Sequence, residues 1–189
     1  MKTTASPTPA PVSVWTRRAW LGGAATLLAA PWEASRAQSA AAAEEEAHAP
    51  GLPALGSRLV VPPVKLLDGS SFDPAQAEGK ALLIYWWASF CPFCALQSPA
   101  MEALWRAQRD KGLVMLALSI DTRPQDATAY LHKKGYTFPA AWTSPAWRRA
   151  FPKPKGLPVT LVRGRDGRVA LAEAGQMFDE DVAAISRLV

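Results

Sequence analysis

The chain has 189 residues, a formal net charge of +5 at pH 7 and two cysteines. Its basic excess makes no case for nucleic-acid binding, because the cations are dispersed or sit in short pairs such as Lys133-Lys134 and Arg148-Arg149, which face solvent. A zinc knuckle is disfavoured too: a Cys-x-x-Cys pair needs two further ligands, and only His48 and His132 remain, far apart in sequence.

Residues 1–37 read as a signal peptide. Thr16-Arg17-Arg18-Ala19-Trp20-Leu21 precedes a weakly apolar stretch, and Ser35-Arg36-Ala37 supplies small residues around a cut. The paired arginines resemble a twin-arginine signal, with a Sec signal as the alternative. The apolar segment between Arg18 and Pro31 is 12 residues long. A membrane span needs ~20, so an uncleaved anchor is the weaker reading. No cysteine lies near the cut, which excludes a lipoprotein. Cleavage after Ala37 removes the four cations Lys2, Arg17, Arg18 and Arg36 and the one anion Glu33, leaving +2. Export to the periplasm places the two cysteines in an oxidising compartment, where a dithiol stays reduced only if electrons are supplied.

Residues 38–56 are rich in Ala, Glu and Pro, carry Glu44-Glu45-Glu46, and lack apolar periodicity, which predicts a mobile spacer. Residues 57–189 suit one domain. Val60-Val61 and Val64 to Leu67, the Asp68-Gly69 turn and Ser70-Ser71-Phe72 predict an N-terminal hairpin. Ala81 to Trp87 reads as a buried strand, followed by a helix from Pro92 to Lys111 that Gly112 ends. Leu113 to Ile120 is a near-continuous apolar run, as in a strand covered on both faces and paired in parallel. Pro124 to Gly135 is a helix with Pro in its first turn and Gly past its end, with His132 on its surface. Trp142 to Phe151 holds a short helix. Val159 to Val162 and Arg168 to Ala172 form a hairpin around Asp166-Gly167, and Asp179 caps a terminal helix to Leu188. This order predicts an α/β fold, a central mixed sheet flanked by helices on both faces.

The chemistry concentrates in Trp87-Ala88-Ser89-Phe90-Cys91-Pro92-Phe93-Cys94, which contains both cysteines. Cys91 falls at a strand-to-helix junction, where the helix N-terminus lowers the thiol pKa and favours the nucleophilic thiolate. Cys94, one turn later, is placed to resolve a mixed disulfide formed at Cys91. A purely structural disulfide is the plainer alternative, although so short a loop constrains the unfolded chain little.

This run resembles the Trp-Ala-Ser-Trp-Cys-x-x-Cys of the thioredoxin superfamily, and over residues 51–189 the chain is similar to its exported TlpA/ResA/CcmG-like branch. Gly156-Leu157-Pro158-Val159-Thr160 resembles the loop whose proline is cis and lies beside the cysteine pair, and Arg165-Asp166-Gly167-Arg168 with Gly175 resembles the closing hairpin. The resemblance implies that Leu157 and Pro158 present backbone to an extended client strand and that Trp87, paired with Phe90, shapes the surface around Cys91. Two positions depart from the family. Tyr85 stands where thioredoxins bury an Asp, and Gln97 stands where ResA-like members can place a Glu; neither is a base at neutral pH. Pro92 and Phe93, between the cysteines, are expected to tune the redox potential together with Gln97 and Tyr85. A peroxiredoxin would need Pro at Ile84 and Ser or Thr at Ala88, and a Sco-like copper carrier a third residue between the cysteines.

The expectation is a monomeric periplasmic thiol:disulfide oxidoreductase without organic cofactor or metal. It would reduce disulfides of client proteins, with cytochrome c maturation as one such process, and draw on a membrane thiol electron donor or acceptor. A disulfide-donating oxidase is the alternative, and a metal-binding module the remotest one.

Overall fold

The computed structural model describes residues 43–189; the expected leader lies outside the described residues. A short antiparallel pair, β1 (Val64–Lys65) and β2 (Ser71–Phe72), is joined through the Asp68-Gly69 turn. Then follow β3 (Ala81–Trp87), α1 (Pro92–Gln108), β4 (Leu113–Ser119), α2 (Pro124–Lys134), β5 (Ala140–Trp142), α3 (Pro145–Ala150), β6 (Val159–Arg163), β7 (Val169–Ala174) and α4 (Asp179–Ala184).

The main sheet runs in the order β5-β4-β3-β6-β7. β3 pairs in parallel with β4 and antiparallel with β6, and all seven of its residues are buried. A strand without a solvent face reads as a continuous apolar run, which is how Ala81 to Trp87 reads. Its side chains alternate between two cores. Leu83, Tyr85 and Trp87 join Cys94 and Met101 of α1, Ala127 of α2 and Val182 of α4. Leu82, Ile84 and Trp86 face the other way, toward Phe72, Leu161 and Phe151, and Trp86 stacks on Phe151 with ring centroids 6.0 Å apart.

Several features differ from the sequence expectation: Asp179 is the first residue of α4 and not its cap, since Phe178 is the N-cap and no side chain among the described residues caps the helix, and α1 ends at Gln108, ahead of the expected Lys111. Ala140–Trp142 is an edge strand parallel to β4, absent from the predicted elements because three residues are too few to display a period of two. Residues 43–56, expected as part of a mobile spacer, contact the rest of the chain at Glu45, Glu46, Pro50 and Gly56. Residues 43–47 are helical, Glu45 forks the guanidinium of Arg148, and Glu46 pairs with Lys153 at 2.8 Å. The Lys155 N–H donates to the Pro50 carbonyl, and the Gly56 N–H to that of Val169. The acidic run that reads as solvated filler in isolation meets cations that arrive about a hundred residues later in the chain.

α1 is anchored to the loop before β5 through Glu102. Its nearly buried carboxylate accepts from the Thr137 N–H at 2.8 Å, the Thr137 hydroxyl at 2.6 Å, the Phe138 N–H at 3.1 Å and Arg106 Nε at 2.6 Å. Burial raises this carboxyl's pKa, but the hydrogen bonds from Thr137, Arg106 and Phe138 outweigh it and hold it below the ordinary value. A carboxylate with a depressed folded pKa stabilises the fold above its unfolded pKa, and that contribution disappears as pH falls through the folded value. Glu102→Gln should therefore cost about 1–3 kcal/mol at pH 7 in urea denaturation. The gap to wild type should narrow once the pH drops below the ordinary carboxyl value of 4.5; a gap that stays constant from pH 7 to pH 3 would show that the charged form is not what Thr137 and Phe138 bind.

Candidate active site

β3 ends at Trp87, the chain turns through Ala88 to Phe90, and Cys91 becomes the N-cap of α1 with φ −82° and ψ 114°. Its Sγ accepts from the Cys94 N–H at 3.2 Å, and its carbonyl accepts from Ala95 at 3.0 Å. Pro92 takes the first helical position, where its missing N–H costs no hydrogen bond. The sulfur thus sits on the positive end of a 17-residue helix. Cys91 and Cys94 are joined as a disulfide with Cα atoms 5.2 Å apart. Cys91 is 7% exposed and Cys94 1%, so an incoming partner reaches Cys91. Phe90 (68% exposed) and Phe93 (56%), which flank Cys91 in sequence, and Leu96 within α1 form an exposed apolar rim at the start of the helix.

Trp87 is not part of that rim. The resemblance implied a role in client binding, but the side chain is wholly buried, against Tyr130 at 5.5 Å and Phe138 at 6.4 Å between ring centroids. As the last residue of a strand covered on both faces it points into the core beneath the cysteines, and only Phe90 of the aromatic pair reaches solvent.

Tyr85 and Gln97 are both buried and both bind backbone. The Tyr85 hydroxyl lies 3.2 Å from the Cys94 carbonyl and 3.1 Å from the Ser98 hydroxyl, which itself donates to the Cys94 carbonyl at 2.7 Å. Burial pushes the Tyr85 phenol well above its ordinary value, so it stays neutral and serves as a donor. The Gln97 amide donates to Thr160 Oγ1 at 3.0 Å, and its oxygen accepts from the Met177 N–H at 2.7 Å. It therefore latches α1 to β6 and to the loop after β7.

The Leu157–Pro158 peptide bond is cis. Val159 pairs with Trp86, so these two residues lie past the end of β3, beside the turn that leads to Cys91. Leu157 is half-buried and packs against the core that holds both cysteines. Among the described residues, neither its N–H nor its carbonyl has a hydrogen-bond partner. His48 is exposed near the start of the described chain and His132 is on α2, and no group of three or more His, Cys, Asp or Glu side chains converges among the described residues.

Sequence reasoning passed over Asp121. Its buried carboxylate accepts from the Ser89 N–H at 3.1 and 3.2 Å, the Ser89 hydroxyl at 2.5 Å and the Ser119 hydroxyl at 2.7 Å. Ser89 is two residues before Cys91, so Asp121 pins the nucleophile's turn to the end of β4. The signal was present as Ser119-Ile120-Asp121, a polar interruption at the end of an apolar strand. Asp121→Ala should cost about 2–3 kcal/mol, because it leaves the Ser89 N–H and two hydroxyls short of an acceptor. Urea denaturation measures the loss, and amide hydrogen exchange at Ser89 should quicken with it; unchanged exchange there would mean that the turn does not depend on Asp121.

A family model described as Redoxin matches residues 54–184. The thiol-disulfide oxidoreductase ResA of Halalkalibacterium halodurans is 22% identical over 123 residues, covering 65% of this chain and 70% of that protein. Among solved structures, a thioredoxin-family thiol:disulfide interchange protein from Chlorobium tepidum superposes with a TM-score of 0.65 at 21% identity, over 71% of this chain and 97% of that one. A second Chlorobium tepidum protein, described as a putative thiol:disulfide interchange protein DsbE, gives a TM-score of 0.62 at 23% identity, over 71% and 94%. At these identities the structural likeness establishes a thioredoxin-like fold.

Proposed function

Because the chain belongs to the Redoxin family, as a TlpA/ResA-like thiol:disulfide oxidoreductase of the thioredoxin superfamily, we propose that it reduces client disulfides in the periplasm, with Cys91 attacking and Cys94 resolving. The observation that carries the assignment of roles is the asymmetry of the pair: Cys91 caps a helix N-terminus at the surface, and Cys94 lies behind it.

In the reduced protein the Cys91 thiolate attacks one sulfur of the client disulfide. A Cys91–client bond forms, the client S–S bond breaks, and the first client thiolate leaves. Cys94 then loses its proton and attacks Cys91 Sγ. The Cys91–Cys94 bond forms and the second client thiolate leaves, so that two electrons have passed to the client and two thiolates take up protons. Tyr85 stays neutral and the Gln97 amide has no basic group, so neither serves as a base for Cys94, and its proton ends, directly or through solvent, on a released client thiolate. Resolution without a positioned base is slow, which suits an oxidant, or a reductant with a narrow set of clients, better than a general reductant. Cysteines being prepared for haem attachment in cytochrome c maturation are clients of this kind. The pair must then be reduced again by an external dithiol, the role proposed for a membrane thiol donor.

What supports the reductive direction is how little stabilises the reduced form. A strong oxidant has a reduced state held down by an unusually stable thiolate. Here Pro92 contributes no N–H, Phe93 contributes no charge, and the Cys91 thiolate is left with the helix end alone. The leader over residues 1–37 supports export, with a twin-arginine route favoured. No helix among the described residues is long and apolar enough to cross a membrane.

Iodoacetamide should label Cys91 of the reduced protein first, at a pH below that of a free thiol. Cys94→Ser should accumulate mixed disulfides with clients, and Cys91→Ser almost none. Faster labelling of Cys94 would reverse the roles. The equilibrium potential against glutathione should lie nearer the thioredoxin value of about −270 mV than the DsbA value of about −120 mV; a value near the latter would make the protein an oxidase.

A further inference from the structure

The residue before Leu157 is held unusually tightly. Gly156 has its N–H bound by Glu46 Oε1 at 2.6 Å and its carbonyl bound by Lys153 Nζ at 2.9 Å. Lys153 Nζ also donates to the Pro154 carbonyl at 2.7 Å and to Glu46 Oε2 at 2.8 Å. An ammonium has three protons, and all three are used. The Lys153 side chain is 5% exposed and that of Glu46 41%, so the pair closes over the loop from one side. The Lys155 N–H, donating to Pro50, fastens the same loop at a second point. Directly after this braced glycine comes Leu157, whose N–H and carbonyl are both without a partner among the described residues.

We infer that Glu46 and Lys153 form a positioning lock that fixes the loop from which Leu157 offers its backbone to an extended client segment. This rests on the thiol-exchange reading above. Strand addition draws its affinity from main-chain hydrogen bonds, and a loop already held in the bound conformation gives up less entropy when the client arrives. Neither Glu46 nor Lys153 touches the cysteines' bonds in α1; their effect reaches the client through Gly156 and Leu157. Glu46 belongs to the segment ahead of the domain, so that segment braces the loop beside the client site from outside it.

The lock separates two substrates. A short disulfide-bridged peptide uses the Leu157 backbone, and hydroxyethyl disulfide has no backbone to bind. In the full mature chain, Glu46→Ala should raise KM for the peptide roughly tenfold with kcat nearly unchanged, a loss of about 1.4 kcal/mol in binding. Reduction of hydroxyethyl disulfide should proceed at the wild-type rate. Glu46→Gln keeps an acceptor for the Gly156 N–H and should lose less. Amide exchange across residues 153–157 should accelerate in Glu46→Ala, a readout that does not depend on turnover. Lys153→Met removes three donors inside the loop and can unfold it, which is why Glu46 carries the test. An unchanged peptide KM would overturn the lock, whether or not exchange accelerates. Equal losses with peptide and hydroxyethyl disulfide would overturn it too, since the pair would then support the cysteine site as a whole. A wild-type protein that reduces neither probe would fail at the thiol-exchange reading itself, before the lock is reached.

Discussion

The rest of the structure depends on burying one strand on both faces. β3 contributes Leu83, Tyr85 and Trp87 to one core and Leu82, Ile84 and Trp86 to the other. Each fully buried large side chain is worth about 1.5–3 kcal/mol, so the strand's position is fixed by far more than its hydrogen bonds. Because Cys91 follows Trp87 by only four residues, fixing the strand also fixes where the helix begins. The register with β6, Trp86 opposite Val159, brings Leu157 and Pro158 to the same end. The reactive geometry is thus a by-product of core packing, refined by polar contacts.

Those polar contacts share a logic. Asp121 holds the turn before Cys91, Gln97 holds the first part of α1 to β6, and Glu102 holds its middle to the loop before β5. Each is a buried or nearly buried polar side chain whose partners are largely backbone N–H groups or hydroxyls. Apolar contacts tolerate sliding, whereas a buried carboxylate or amide with several short bonds is satisfied in one arrangement. α1 is accordingly pinned along its first three turns, and the sulfur at its end inherits that precision.

The cysteine pair, β3, β4, the two longer helices and the closing hairpin were legible because each carries a local signal: an apolar run, Pro at a helix start, Gly past its end, or an Asp-Gly turn. Gly112 closes the 3-10 turn Arg109–Lys111 that follows α1, and Gly135 ends α2, with φ of 106° and 68°, the left-handed conformation that marks such positions. What escaped has no local signal. β5 is too short to show a period. Trp87 is different: its place at the end of the apolar run Ala81 to Trp87 already marks it as core, and only the resemblance gave it a surface role. The docking of residues 43–56 depends on Arg148 and Lys153, which a reading of composition within one window does not see. Asp121 is intermediate: its position was readable, its partners were not.

Tyr85 and Gln97 show what replaces a carboxylate near the second cysteine. In each case a neutral side chain spends its hydrogen bonds on the framework: Tyr85 on the Cys94 carbonyl, Gln97 on Thr160 and the Met177 N–H. A buried carboxylate at either place could take a proton from Cys94, but it would carry an ionisation that burial opposes, and its pKa would rise. The neutral pair avoids that conflict and gives α1 two more fixed points. Neither side chain can then receive the Cys94 proton, and the residue itself is only 1% exposed. In the proposed reaction the arrangement exchanges speed in the resolving step for rigidity around the attacking thiol. The client is held covalently by Cys91 while the mixed disulfide awaits resolution, so on the proposed reading the backbone of Leu157, unpartnered among the described residues, matters earlier, in presenting the client disulfide to Cys91.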